Sequence, residues 1–260
     1  VRALLFDMDG VLYDSETPIA GAAETLAWVR AREIPHLFVT NTTSCGRGVL
    51  AEKMARFGMP ANETEILTPC EVAAEWIRAH AAGPVALFVR PAARAAFAAL
   101  ECLPEIAESG ARCVVIGDLG TAWDFRTLNR AFRLLHSDPA ATLIALGMTR
   151  YWKSQDGISL DVAPFVAALE HAAGRKAVVF GKPAQAFYYG AAQQLDVPPG
   201  EILMLGDDIE TDIGGAQHAG LKGALVKTGK FRPSDLDGSV RPYLVLDSIA
   251  GLPAWWEKRL

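Results

Sequence analysis

Short, nearly unbroken apolar runs alternate along the chain with longer stretches whose apolar residues recur at helical spacing. The runs at Ala3 to Asp7, His36 to Thr40, Val85 to Arg90, Cys113 to Ile116, Thr142 to Leu146, Ala177 to Phe180, Ile202 to Leu205 and Gly223 to Val226 read as strands. Helical periodicity marks Ile19 to Arg32, Pro69 to His80, Thr127 to His136, Asp161 to Ala172 and Ala184 to Leu195. Strands that alternate with helices imply parallel strands joined by crossovers. Strands without polar alternation imply a sheet covered on both faces.

Two breaks interrupt this rhythm. Ala81-Ala82-Gly83-Pro84 ends a helix before a new strand, and Gly174-Arg175 ends another. The segment between them is a smaller alternating unit with its own apolar positions. The expected organisation is therefore a discontinuous core, 1–80 and 175–260, with an inserted unit at 81–174.

Composition narrows the class. With 260 residues and 51% hydrophobic residues the chain can bury a sizeable core and is not a disordered one. Lys plus Arg number 25 against 30 Asp plus Glu, a net charge of -5, which argues against duplex nucleic acid as the partner and leaves room for a local basic pocket that binds a small anion. The four cysteines (Cys45, Cys70, Cys102, Cys113) lie far apart with no zinc-like spacing, as in a reducing compartment. No apolar run approaches the ~18 residues of a membrane span, and Leu4-Leu5-Phe6 runs straight into acids, unlike a signal peptide. A soluble cytoplasmic protein with no membrane partner is expected.

The chemistry gathers where strands end, which in open parallel sheets is where ligands bind. The first strand ends in Asp7-Met8-Asp9-Gly10. Two carboxylates two residues apart on one side of an extended backbone call for a cation, a shared proton or distinct roles, unless they are only solvated turn acids. The second ends in Thr40-Asn41-Thr42-Thr43, residues that can donate to an anion or simply cap a helix. Lys182, in Phe180-Gly181-Lys182-Pro183, falls on the same rim, although most lysines are merely exposed. A fourth strand ends in Gly206-Asp207-Asp208-Ile209-Glu210-Thr211-Asp212. Four acids in six residues repel one another without a cation; oxygen-only donors select a hard ion, Mg²⁺ before Ca²⁺, while some of the acids can serve as helix caps. Gly223 to Lys230 is not a P-loop, because five residues separate its glycines and Phe231 stands where Ser or Thr is required.

Taken together, DMDGV at 7–11, Thr40, Lys182 and GDDIETD at 206–212 resemble the four motifs of the haloacid dehalogenase-like hydrolase superfamily. The insertion, with TNTT and GKP, resembles the NagD-type subfamily. GDLG at 117–120, RYWK at 150–153, GGAQHAG and VKTGKFRPSD up to 235 resemble the branch that holds phospholysine phosphohistidine inorganic pyrophosphate phosphatase and its relatives. Gly147-Met148-Thr149-Arg150 stands where other NagD-type members carry an Asn-Pro-Asp-like segment, so their substrates are not carried over.

The resemblance implies a Rossmann-like parallel-sheet core with an α/β cap, and a Mg²⁺-dependent phosphatase acting on a small phosphomonoester, phosphoramidate or pyrophosphate. Asp7 would be the nucleophile that forms an aspartyl-phosphate, and Asp9 the acid and base. Asp7, the backbone carbonyl of Asp9 and Asp207 would hold the ion, with Asp208 and Asp212 in support. Thr40, Asn41 and Lys182 would hold the transferring oxygens. A homodimer through the cap is a further implication. Asp9 counts against a dehalogenase, the large cap against a phosphomutase, and the intact motif set against a binding protein on an inactive scaffold. Thr149 to Lys153 places two cations and two aromatics together, so Arg150 and Trp152 are candidates for selecting substrate, unless the segment is only a β-hairpin.

Overall fold

The computed structural model describes residues 1–154 and 157–258, with the backbone alone at 152–154. The chain groups into two compact units, 1–40 with 47–67 and 182–260, and 41–46 with 68–181. Among the described residues no helix is long and apolar enough to cross a membrane.

The first unit begins with β1 (Ala3–Asp7), every residue of which is buried. A two-residue hairpin follows, β2 (Tyr13–Asp14) and β3 (Thr17–Pro18), then α1 (Ala22–Ala31), β4 (His36–Val39), α2 (Arg47–Arg56) and β5 (Ile66–Leu67). The chain then builds the second unit: α3 (Pro69–His80), β6 (Val85–Phe88), β7 (Cys113–Ile116), α4 (Phe125–Ser137), β8 (Thr142–Ala145), the hairpin β9 (Tyr151–Ser154) and β10 (Gly157–Leu160), α5 (Val162–Ala173) and β11 (Val178–Val179). It returns to the first unit with α6 (Gln185–Leu195), β12 (Ile202–Gly206), α7 (Gly215–His218), β13 (Lys222–Val226), β14 (Leu244–Leu246) and α8 (Leu252–Glu257).

The first unit's sheet is parallel, in the order β14-β13-β12-β1-β4-β5. From β1 the early strands run to one side and the late strands to the other, so the strand order reverses between β1 and β12. That is the topological switch point at which parallel sheets bind ligands. The second unit carries a smaller parallel sheet, β11-β8-β7-β6, whose strands bury Phe88, Val114, Ile116 and Leu143 against Leu134 of α4 and Val166 of α5. The fold is α/β, a Rossmann-like parallel core with a smaller α/β unit inserted.

Local chemistry sets the element ends. Thr68 Oγ1 accepts from the Cys70 N–H at 3.2 Å and Glu71 returns a bond to the Thr68 N–H, also at 3.2 Å, a capping box with Pro69 in the first turn of α3. Asp124 caps α4 by accepting from the Thr127 N–H at 2.7 Å, which starts the helix two residues before the pattern suggests. The expected boundaries at 80/81 and 174/175 fall inside the second unit. There, α3 groups with the inserted sheet, and β11 is one of its strands, in register with Ile144 and Ala145. Of the 149–153 segment, residues 151–153 lie in β9, which pairs antiparallel with β10, Tyr151 opposite Leu160.

Candidate active site

The acids predicted at strand ends converge at the switch point of the first unit. Asp7 is the last residue of β1 and is 7% exposed; Asp207 follows β12 directly and is 1% exposed. Carboxylate oxygens of Asp7, Asp207 and Asp212 lie within 4.8 Å of one another. Lys182 enters the same space, buried, with Nζ 2.6 Å from Asp7 Oδ1 and 2.7 Å from Asp212 Oδ1. Three buried carboxylates thus face one buried ammonium.

The electrostatics follow from that imbalance. Burial pushes the Asp7 carboxyl up to about 7; Lys182 opposes the shift, and Asp212 and Asp207 add to it. Burial likewise pushes Asp207 up to about 6, against the Lys230 N–H that it accepts. For Lys182 burial alone favours the neutral amine, but Asp212 and Asp7 outweigh it and hold the side chain charged.

The acids after β12 divide by what they touch. Asp208 Oδ1 accepts from the N–H groups of Glu210 (3.1 Å) and Thr211 (2.9 Å), so its carboxylate caps the π-helical turn Ile209–Gly214. Asp208 stays below the usual carboxylate range, because those N–H donors and Lys230 overcome its partial burial. In the wide turn the Asp212 and Ile213 N–H groups share the Asp208 carbonyl (3.0 and 3.3 Å), which carries Asp212 round to Lys182. Asp212 Oδ2 accepts from the Asp208 N–H at 3.2 Å, while Oδ1 is held by Lys182 as an ion pair without hydrogen-bond geometry. Asp207 differs: Oδ2 is occupied, yet Oδ1 is buried with no hydrogen-bond partner among the described residues. A buried oxygen left in that state is costly unless a ligand takes it up, and an oxygen-only donor set suits a hard divalent ion.

The other predicted residues sit as follows. The Asp9 carboxylate is exposed just past β1, its Oδ1 accepting from the Ser15 N–H at 3.0 Å. Thr40 follows β4, whose Val39 is in register with Asp7, and is buried with its N–H donating to the Leu67 carbonyl at 3.2 Å. Asn41 groups with the second unit. So does Arg150, which is exposed, with its guanidinium 5.8 Å from the Tyr151 ring. The Trp152 side chain lies outside the described residues.

Two contributors escaped sequence reasoning. Tyr188, wholly buried in α6, donates from its hydroxyl to the carbonyls of Thr211 (2.6 Å) and Asp212 (3.2 Å) and so braces the π turn. The turn after β13 reaches Asp207 through a backbone N–H, that of Lys230 at 2.7 Å, while Lys230 Nζ lies 3.7 Å from Asp208 Oδ2. An aromatic at a helical core position and a backbone donor carry no distinctive side-chain signal.

Comparison with known proteins accords with this geometry. A model of the haloacid dehalogenase-like hydrolase family matches residues 4–120, and a second, HAD-hydrolase-like model matches 179–252. The chain is 38% identical over 239 residues to the phospholysine phosphohistidine inorganic pyrophosphate phosphatase of Homo sapiens, covering 90% of this chain and 86% of that one. It is also 38% identical over 250 residues to the haloacid dehalogenase-like hydrolase domain-containing protein 2 of Bos taurus, covering 96% and 93%. The crystal structure of a 4-nitrophenylphosphatase from Thermotoga maritima superposes with a TM-score of 0.86 at 25% identity, covering 98% of this chain and 97% of that one.

Proposed function

The chain belongs to the haloacid dehalogenase-like hydrolases and is a phosphatase, and from that premise we propose that it hydrolyses a small phosphomonoester, phosphoramidate or pyrophosphate through a phosphorylated Asp7, with Mg²⁺ as its ion. The observation that carries this reading is the buried Asp7–Lys182–Asp212 cluster beside the unpartnered Asp207 Oδ1.

Asp7, the backbone carbonyl of Asp9 and Asp207 would hold the ion. Asp212, both of whose oxygens are engaged, orients Lys182, and Asp208 holds the turn. The ion supplies positive charge where a carboxylate must approach a phosphate dianion. Lys182 supplies more beside Asp7, and Thr40 would offer a donor to the transferring oxygens. Asp7 attacks phosphorus. Asp9, exposed and within the same turn, gives a proton to the leaving group and then takes one from the water that cleaves the acyl-phosphate.

The deciding experiment is release of inorganic phosphate from p-nitrophenyl phosphate with Mg²⁺, and its inhibition by vanadate. Vanadate-sensitive release supports the reading. Halide release from haloacids, isomerisation of a sugar phosphate, or ligand binding without turnover across phosphorylated metabolites would each replace it.

The carboxyl shifts predict a pH-dependent response to the ion. Asp7 and Asp207 titrate at about 7 and about 6 in the folded chain, above the 3.8 of an unperturbed aspartate. Between those values the folded protein keeps protons that the unfolded chain has released, so metal-free stability falls as pH rises through that window. Binding the ion exchanges those protons for Mg²⁺. The rise in melting temperature on adding Mg²⁺ should therefore be larger near pH ~8 than near pH ~5.5. Equal rises at both would show that these carboxylates do not hold it.

We further propose that the inserted segment 81–174 helps to select substrate and that Arg150 contributes to that choice. Arg150→Ala should then reduce kcat/KM for the preferred substrate by about 10-fold or more and leave p-nitrophenyl phosphate little changed. A proportional loss on both would make the hairpin structural.

A further inference from the structure

The turn after β13 does not have a P-loop sequence, yet it packs directly against the acidic centre. Thr228 Oγ1 donates to the Gly10 carbonyl at 2.5 Å, and the Lys230 N–H donates to Asp207 Oδ2 at 2.7 Å. Between these two bonds sits Gly229 at φ +61°, facing Gly10 at φ +85°. A Cβ on either glycine would fall 2.1 Å from Asp207 Oδ2, and one on Gly229 would also fall 2.6 Å from Gly10 Cα. The Asp207 carboxylate is therefore slotted between two turns of bare backbone. One oxygen is fixed by the slot and the Lys230 N–H, and the other, Oδ1, is left without a hydrogen-bond partner among the described residues.

We propose that Thr228, Gly229 and the Lys230 N–H are positioning groups for the metal ion. The turn locks Asp207 in the orientation that presents Oδ1. Thr228 ties the same turn to the Gly10 carbonyl, one residue beyond the Asp9 carbonyl assigned to the ion. This inference rests on the reading of Asp207 as a metal ligand. The reason only glycine serves at 229 is twofold: the backbone is left-handed there, and a side chain would occupy the space of the carboxylate. Loss of a group that orients a ligand from behind typically weakens metal binding by about 10- to 100-fold.

The test is calorimetric titration of the full chain with Mg²⁺, with circular dichroism and melting temperature recorded on the metal-free proteins. Gly229→Ala should weaken Mg²⁺ binding by about 10- to 100-fold. Its phosphatase rate should recover towards the parent value as Mg²⁺ is raised. Thr228→Val should weaken binding by about fivefold, and Thr228→Ser, which keeps the hydroxyl, should restore it. If Gly229→Ala fails to fold, the Thr228→Val and Thr228→Ser pair decides alone. Folded variants that melt lower but bind Mg²⁺ as the parent does would overturn the proposal and make the turn a brace. Asp207→Asn separates the two levels. Should the parent bind no Mg²⁺, or Asp207→Asn bind it unchanged, the metal reading fails and this inference with it. Should Asp207→Asn lose Mg²⁺ while the turn variants keep it, only this inference fails.

Discussion

Replacing Asp7 by Asn should lower phosphate release by at least about 10³-fold while the metal-free protein melts no lower than the parent. The two effects have one cause. Asp7 is buried among Asp212 and Asp207, and its carboxyl is pushed up to about 7, so the folded chain gains nothing from its negative charge before an ion binds. An amide of the same volume removes that repulsion and leaves Lys182 paired with Asp212 at 2.7 Å. It also removes the nucleophile. Single-turnover phosphate release and thermal melting of the same preparation check both halves. A variant that releases phosphate at more than about a hundredth of the parent rate would move the nucleophile elsewhere, and a large drop in melting temperature would show that Asp7 holds the site together.

Lys182→Ala should have the opposite balance, losing stability as well as rate. Its ammonium is the cation that faces both Asp7 and Asp212, and removing one partner from a buried ion pair costs about 3–5 kcal/mol. The cost depends on pH with a definite sign. Asp7 is charged above its folded value of about 7, so the difference from the parent should be greatest near pH ~8 and shrink near pH ~5.5, where Asp7 carries a proton. Urea unfolding at the two pH values measures it. A loss below about 1 kcal/mol at the higher pH would mean that water reaches the cluster and the pair is screened.

What the sequence disclosed, and what it withheld, follows from how each residue acts. β1 and β12 are legible because they are buried on both faces, and their acids stand out as charges at the end of an apolar run. Lys182 is legible only as one of a set, since a lysine beside a proline has no special signature by itself. α2 is not legible: just Leu50 and Met54 of its ten residues are buried, too thin a stripe for a helical period to show. β14 escapes because Leu244–Leu246 is a three-residue edge strand with no buried position. Among the acids after β12, spacing marks a cluster but does not assign its members. Asp208 as cap, Asp212 as the partner of Lys182 and Asp207 as the open donor separate only once the π turn sets their directions. Thr228 and Gly229 lie deepest in the structure's own logic, because they act through a carbonyl, an N–H and the lack of a side chain.

The split of the first unit's sheet between the two ends of the chain has a consequence for how the protein is made. As it leaves the ribosome, β1 arrives with β4 and β5 on one side, while its other neighbour, β12, follows about 200 residues later, at Ile202–Gly206. Its second hydrogen-bonding edge stays open for the whole interval, ten or more seconds at usual rates of translation. The residues along that edge, Ala3 to Phe6, are apolar and carry no charge or proline to deter pairing with another chain. The inserted unit, by contrast, draws all its strands from one continuous stretch and completes its sheet before β12 is synthesised. A nascent chain paused near residue 195 would thus hold a finished small sheet and a half-built large one, with the β1 edge still open to pairing with another chain.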